Sequence, residues 1–256
     1  MLESRVRESR GKLDTKETVT ATSLAHASSP QGTLFLVAMP IGNLEDISLR
    51  ALRILREVSL IVAEDVRVAH KFLAHYGITT ELLGYQSREG RESVALLLER
   101  LRQGESVAFV TDAGTPSIAD PGLVPVLKAI EAGIKVVSLP GPVAAIVGLI
   151  ASGLPTGKFV FEGFPPRSKA DRRAFFHALA DEPRTLLLYE SPAYLRSTLQ
   201  ALQHSLGATR QAVVVRDLTK PTETFWRGTL AELTGSLLVP PPRGEYTLVV
   251  RGKPIS

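Results

Sequence analysis

Val107-Ala108-Phe109-Val110, followed by Thr111-Asp112-Ala113-Gly114-Thr115-Pro116-Ser117, reads as a buried strand that empties into a turn of small residues. A helix is expected to open just beyond it, near Asp120-Pro121. Such a turn brings bare backbone to the carboxyl edge of a sheet, where open α/β sheets hold their ligands. Gly114 allows close approach or a positive φ, and Pro116 fixes its own φ and stiffens the loop. Taken alone, the stretch fits a plain turn as well as a binding loop. Its companions along the chain decide.

Outward from this stretch, short apolar runs alternate with amphipathic segments. Strands are expected at Leu34–Ala38, Leu60–Ala63, Val107–Val110 and Lys135–Leu139. Helices are expected at Ser48–Glu57, Val66–His75, Glu92–Arg102 and about Gly122–Glu131. That alternation predicts a mostly parallel sheet covered by helices. Pro140-Gly141-Pro142 punctuates the pattern before an apolar helix, Val143–Ala151. Beyond it, strands at Phe159–Glu162, Thr185–Tyr189, Ala212–Val215, Glu223–Trp226 and Tyr246–Arg251 come closer together, with helices at Asp171–Ala180 and Pro192–His204. The second sheet should therefore be mixed. The expected organisation is a disordered leader over residues 1–31, an α/β domain over 32–142 and a second over 143–256.

Composition narrows the chemistry. Apolar residues make up 44% of the 256 and charged residues 22%, as in folded globular chains. With no cysteine there is no disulfide framework and no thiolate metal site. His26, His70, His75, His177 and His204 are scattered, so no metal site is expected. No apolar run reaches the length of a membrane span. The net charge of +4 is uneven, because residues 158–256 hold 14 basic against 9 acidic side chains. Arg167, Lys169, Arg172 and Arg173 cluster there, which suits either a polyanionic partner or a solvated helix face.

Further loops follow expected strands. Met39-Pro40-Ile41-Gly42-Asn43-Leu44-Glu45-Asp46 bends the chain after the first strand, with Asn43 or Asp46 able to cap the next turn. It lacks the glycine spacing of a dinucleotide fingerprint and the Gly-Lys-Ser/Thr end of a Walker loop. Ala63-Glu64-Asp65-Val66-Arg67 is a charged knot that fits a helix cap with a local ion pair as well as a binding role. Leu139-Pro140-Gly141-Pro142 leads into a helix N-terminus, whose free N–H groups can hold a carboxylate. Tyr189-Glu190-Ser191-Pro192 and Arg216-Asp217-Leu218-Thr219-Lys220 lie at later strand exits. With Arg227 and Arg243 these can form a basic rim for a phosphodiester chain.

Together and in this order, Leu36–Leu44, Ala63–Arg67, Thr111–Pro116, Leu139–Pro142, Tyr189–Ser191 and Asp217–Lys220 resemble the ribosomal RNA small-subunit methyltransferase I family. These are ribose 2′-O-methyltransferases within the tetrapyrrole methylase superfamily, and the resemblance covers about Thr33 to Lys253. It implies a two-domain tetrapyrrole methylase-like α/β fold, with S-adenosylmethionine in the cleft between domains and usually a homodimer. It also implies a cytoplasmic protein that methylates a cytidine in the decoding region of small-subunit ribosomal RNA, free or in the assembled subunit. Carried over by position, the cofactor residues are Pro40, Ile41, Gly42 and Asn43, the run Asp112, Ala113, Gly114, Thr115, Pro116 and Ser117, then Gly141, Pro142 and Tyr189. Glu64 as proton acceptor, Lys220 as a partly desolvated base or electrostatic aid, and Arg67 orienting an RNA phosphate are the expected catalytic set.

The chain departs from the family at Val66, where members commonly have Thr, and at Thr222, where they have His. Gln86-Ser87-Arg88-Glu89-Gly90-Arg91 replaces a His-x-His-Asn-Glu segment, and a C-terminal helical extension found in some members is absent. Two other readings stand beside this one: a tetrapyrrole methyltransferase, and a non-catalytic RNA-binding ribosome-assembly protein.

Overall fold

The computed structural model describes residues 32–85, 90–236 and 243–254. The expected leader and residues 86–89 of the replaced segment lie outside these. Five strands, β1 (Thr33–Leu36), β2 (Leu60–Ala63), β3 (Glu81–Gly84), β4 (Val107–Val110) and β5 (Lys135–Ser138), form one sheet. Its order is β3-β2-β4-β1-β5 and every pairing is parallel. Parallel neighbours need crossovers, supplied here by α1 (Leu49–Glu57), α2 (Val66–His75), α3 (Gly90–Arg102) and α4 (Leu123–Glu131). Ile61 and Ala63 pack on one face with Ile54, Leu55 and Phe72. Leu60, Val62 and Phe109 pack on the other with Leu97, Leu101 and Ala129. Burial on both faces explains why these strands read as unbroken apolar runs.

All five strands point the same way, so their exits share one edge. β1 and β4 are neighbours there, yet α1 covers one face of the sheet and α4 the other. The chain diverges between these two exits, which leaves the crevice in which α/β sheets bind ligands.

The second sheet contains β6 (Phe159–Phe161), β7 (Thr185–Glu190), β8 (Gln211–Arg216), β9 (Thr224–Thr229) and β10 (Tyr246–Val250), in the order β6-β7-β10-β8-β9. Only β6 and β7 pair in parallel. Helices α6 (Lys169–Ala178), α7 (Pro192–Leu206) and α8 (Leu230–Ser236) bury Phe176, Leu199 and Leu230 against Leu186, Leu188, Val214 and Leu248. Helix α5 (Ala144–Ser152) covers the opposite face, with Ala145 and Leu149 against Leu187, Val213 and Val249. Each such buried leucine contributes about 1.5–3 kcal/mol. Ile41, from the β1 exit of the first sheet, belongs to this same cluster. The first loop is thus anchored in the core of the second sheet.

Besides a short 3-10 turn at Leu44–Asp46, the structure adds a strand and a helix to the expected set. β3 is a half-buried edge strand, Glu81-Leu82-Leu83-Gly84, with neither alternation nor β-branched residues to announce it. α8 spans only Leu230–Ser236 and carries Thr, Gly and Ser at its end. α4 begins at Leu123 rather than Gly122, because Gly122 has a φ of 144°. α6 begins at Lys169 because Ser168 caps it, accepting the Asp171 amide at 3.2 Å.

Candidate active site

The loops picked out from sequence meet at the shared edge of the first sheet. Met39 and Gly114 exchange backbone hydrogen bonds of 2.8 and 2.9 Å, closing the β1 loop on the β4 loop. Gly114 adopts the positive φ expected of it, 73°. Thr115 Oγ1 donates to the Pro142 carbonyl at 2.9 Å, which adds the β5 exit. Asp112 Oδ1 accepts the Asp65 amide at 3.1 Å, and Glu64 Oε2 lies 3.4 Å from the Asp112 amide, which adds the β2 exit. Gly42 sits so close to the β8 exit that a Cβ would lie 2.6 Å from Lys220 Cγ and 2.7 Å from the Leu218 carbonyl oxygen. From the second sheet, Tyr189 Oη accepts the Ala145 amide at 3.1 Å. Burial of the Tyr189 phenol raises its pKa, against that hydrogen bond and with the help of the Asp120 charge.

Two cavities open between these loops. The first, about 330 Å³, runs from Ile41, Gly114 and Thr115 to Tyr189, Leu218 and Thr247, with Val143 and Ala144 at the start of α5. Asp120, Glu190 and Glu245 border it, and among the described residues its lining contains no lysine or arginine. At the entry of α5 the Ala145 amide is taken by Tyr189 Oη and the Ile146 and Val147 amides by the Val143 carbonyl. Desolvation, then the charges of Glu64 and Asp112, push the Asp120 carboxyl up to about 6. The second cavity, about 500 Å³, shares Ile41, Ala113 and Glu245 with the first. It is lined also by Pro40, Gly42 and Asp112 and by two cations, Lys71 and Lys220. Lys220 Nζ lies 2.7 Å from Glu245 Oε2 and 3.7 Å from Asp217 Oδ1.

Backbone strain gathers on the loops that border these cavities. Among the described residues, the non-glycine positions with positive φ are Ser117 (72°), Ala119 (61°), Asp217 (53°) and Thr219 (65°). Each costs about 1 kcal/mol or more and persists only where the surroundings enforce it. Here they do. Asp217 Oδ1 accepts the Glu245 amide at 3.1 Å, Asp217 Oδ2 accepts the Thr222 hydroxyl at 2.8 Å, and the Thr219 amide donates to Glu223 at 2.7 Å. Burial works against the Asp217 carboxylate, but these donors and the charges of Lys220 and Arg216 hold its pKa below the ordinary value.

The expected site residues separate accordingly. Ile41, Ala113, Gly114, Thr115 and Tyr189 line the first cavity, whereas Pro40, Gly42, Asp112 and Lys220 line the second, which Ile41 and Ala113 also reach. Asn43 lines neither; its side chain accepts the Glu45 amide at 3.1 Å and caps a single 3-10 turn, Leu44–Asp46. Pro116 is buried behind the loop and Ser117 is exposed. Gly141 packs on Ala38, leaving no room for a Cβ, and Pro142 contributes its carbonyl to Thr115.

Glu64 lies behind Asp112, its pKa raised by burial in spite of the Asp112 amide and with the Asp112 and Asp65 charges adding to the rise. Arg67 folds back onto Asp65 at 2.6 Å, holding the Asp65 carboxyl down at about 2, and Asp65 caps α2 through the Arg67 amide at 2.8 Å. Arg227 is no free rim cation either, since it donates to the Ala151 and Ser152 carbonyls at 2.7 and 3.3 Å and closes the end of α5. Arg172 leaves the basic cluster altogether: it is 4% exposed and clamps the chain before α6. Residues passed over in the sequence also line the first cavity, among them Ile118, Val143, Ala144, Phe164 and Thr247. In the sequence Asp120 marks only a helix opening.

The family model for Tetrapyrrole (Corrin/Porphyrin) Methylases matches residues 33–234. Ribosomal RNA small subunit methyltransferase I of Synechocystis sp. is 45% identical over 86% of this chain and 79% of its own length. The Pseudomonas aeruginosa protein of the same name is 46% identical over 86% and 79%, and that of Escherichia coli O157:H7 is 43% identical over 88% and 80%. A cobalt precorrin-4 methyltransferase superposes with a TM-score of 0.66 at 18% identity over 86% of this chain and 94% of its own. Diphthine synthase gives 0.66 at 17% over 88% and 92%. The chain therefore belongs to the tetrapyrrole methylase family and, within it, to the ribosomal RNA small subunit methyltransferase I group.

Proposed function

We propose that this protein transfers a methyl group from S-adenosylmethionine to the ribose 2′-hydroxyl of a cytidine in the decoding region of small-subunit ribosomal RNA. S-adenosylmethionine is the methyl donor of the family. The observation that carries the reading is the pair of adjoining cavities, of which, among the described residues, only the second holds cations. A cationic donor suits the first, whose lining has three carboxylates and no basic side chain. An acceptor with phosphates suits the second better, since Lys71 and Lys220 stand there beside Asp112 and Glu245. The names of the relatives favour RNA over a tetrapyrrole as that acceptor.

The bound donor supplies an electrophilic methyl group; the protein supplies position. Thr115, Ile41 and Tyr189 would hold the donor. Lys220, fixed by Glu245 and Asp217, would stand beside the acceptor hydroxyl and favour loss of its proton. Glu64 keeps a role as proton acceptor only by way of Asp112, and Arg67 reaches an RNA phosphate only by leaving Asp65. The same reading makes residues 32–142 and 143–256 the two domains about the cofactor cleft, supported by α5 packing on the second sheet. It also makes the protein cytoplasmic and homodimeric. Methyl transfer by Lys220→Ala and Glu64→Gln, with donor binding followed by calorimetry, tests the assignment. Lys220→Ala should lose turnover by about a hundredfold with donor affinity intact. Normal turnover in both variants would remove the catalytic assignment.

A further inference from the structure

Phe164 is a large aromatic residue left 58% exposed at the lip of the first cavity. Its mounting is rigid. Gly163 accepts the Tyr189 amide at 2.9 Å, and the Phe164 ring rests against the Tyr189 ring at 5.6 Å. Pro165 and Pro166 follow immediately, and the buried Arg172 holds them: its Nε donates to the Pro166 carbonyl at 2.9 Å and its Nη2 to the Arg167 carbonyl at 3.0 Å. Arg172 also bonds Ser197 and lies 5.0 Å over the Tyr194 ring. Among the described residues this buried guanidinium has no carboxylate partner, and the carbonyls it holds begin two residues after Phe164. Arg167 and Lys169, both exposed, lie on the same short segment.

A preorganised, outward-facing ring beside two cations has the chemistry that recognises an unstacked base and its phosphates. The acid-lined cavity below would repel a polyanion, so such a chain would rest on the lip and admit only the reacting ribose. We propose that Phe164 is the stacking platform for a base of the substrate RNA, with Arg167 and Lys169 engaging the flanking phosphates. The proposal rests on the reading of the chain as an RNA methyltransferase.

Phe164→Ala, Phe164→Leu and Phe164→Tyr are compared in donor calorimetry, in methyl transfer to undermethylated small subunits, and in binding of a single-stranded oligoribonucleotide containing 2-aminopurine. The expected result is KM for RNA raised about tenfold or more in the Ala and Leu variants, well beyond any loss of donor affinity, and recovery with Tyr. Quenching of 2-aminopurine should follow the same order. A Leu variant as good as Tyr, or donor affinity falling in step with turnover, overturns the platform. Wild-type protein that quenches through Phe164 but methylates no RNA leaves the platform standing and removes the functional reading instead. Normal methylation by Phe164→Ala does the opposite.

Discussion

Asp120 shows how much a single side chain can report about the site. Its carboxyl, raised to about 6 by desolvation and by the negative charges of Glu64 and Asp112, borders the cavity assigned to a cationic donor. A raised carboxyl pKa means the folded state prefers the protonated form. Stability is therefore lost as pH rises from the unfolded value of 3.8 through about 6, and it stays lower above that. Asp120→Asn should raise Tm at neutral pH and leave it unchanged in acid, which a thermal scan at two pH values checks. Binding runs the other way, because the ionised carboxylate attracts the donor. Donor affinity should climb as pH rises through about 6 and level off near pH 7. In Asp120→Asn that rise should vanish, with affinity at neutral pH about fivefold weaker. Calorimetry across this range reads both effects, and an unchanged pH profile in the variant would place the donor elsewhere.

At the level of elements, α6 and the loop before it depend on Arg172. Arg172→Met keeps the length of the side chain but leaves the Pro166 and Arg167 carbonyls without their donor. The expected loss is about 2 kcal/mol, measured by denaturant unfolding, with a larger loss of RNA methylation than of donor binding. This residue also shows where sequence reading stops. Arg172 and Arg173 are adjacent basic residues on one helix, yet one is buried and the other exposed, and composition does not distinguish them. Arg227 and the β3 edge strand escaped for the same kind of reason, since their roles are set by tertiary neighbours. The strand-exit loops were legible because turn chemistry is local: Gly114 and Pro116 show their function in their own backbone preferences. Asn43, expected both as a cap and as a cofactor residue, serves as a cap, and nothing in the sequence around Phe164 announces its exposure.

Across the whole molecule, α4 carries its apolar residues on the wrong side for an isolated monomer. Pro125 and Ala129 are buried, while Leu123, Leu127 and Ile130 are 63%, 46% and 60% exposed along one stripe. A stripe of this kind is a candidate contact between copies of the chain, and it supports the proposed homodimer. Ile130→Asp should shift the protein to monomer in light scattering without lowering Tm by more than about 1 kcal/mol in equivalent stability. At this scale the fold was legible in the sequence, because βα alternation sets a parallel sheet and closer strands set a mixed one. The convergence of loops from both sheets on Ile41 and Ala113 was not, because it depends on which strands become neighbours. The most direct test of that convergence is transfer of labelled methyl from S-adenosylmethionine to small subunits from a strain lacking this activity, with the product mapped to the nucleotide. The predicted result is one ribose 2′-O-methyl on a cytidine of the decoding region. Donor binding without RNA labelling, or label on a base rather than a ribose, would contradict it.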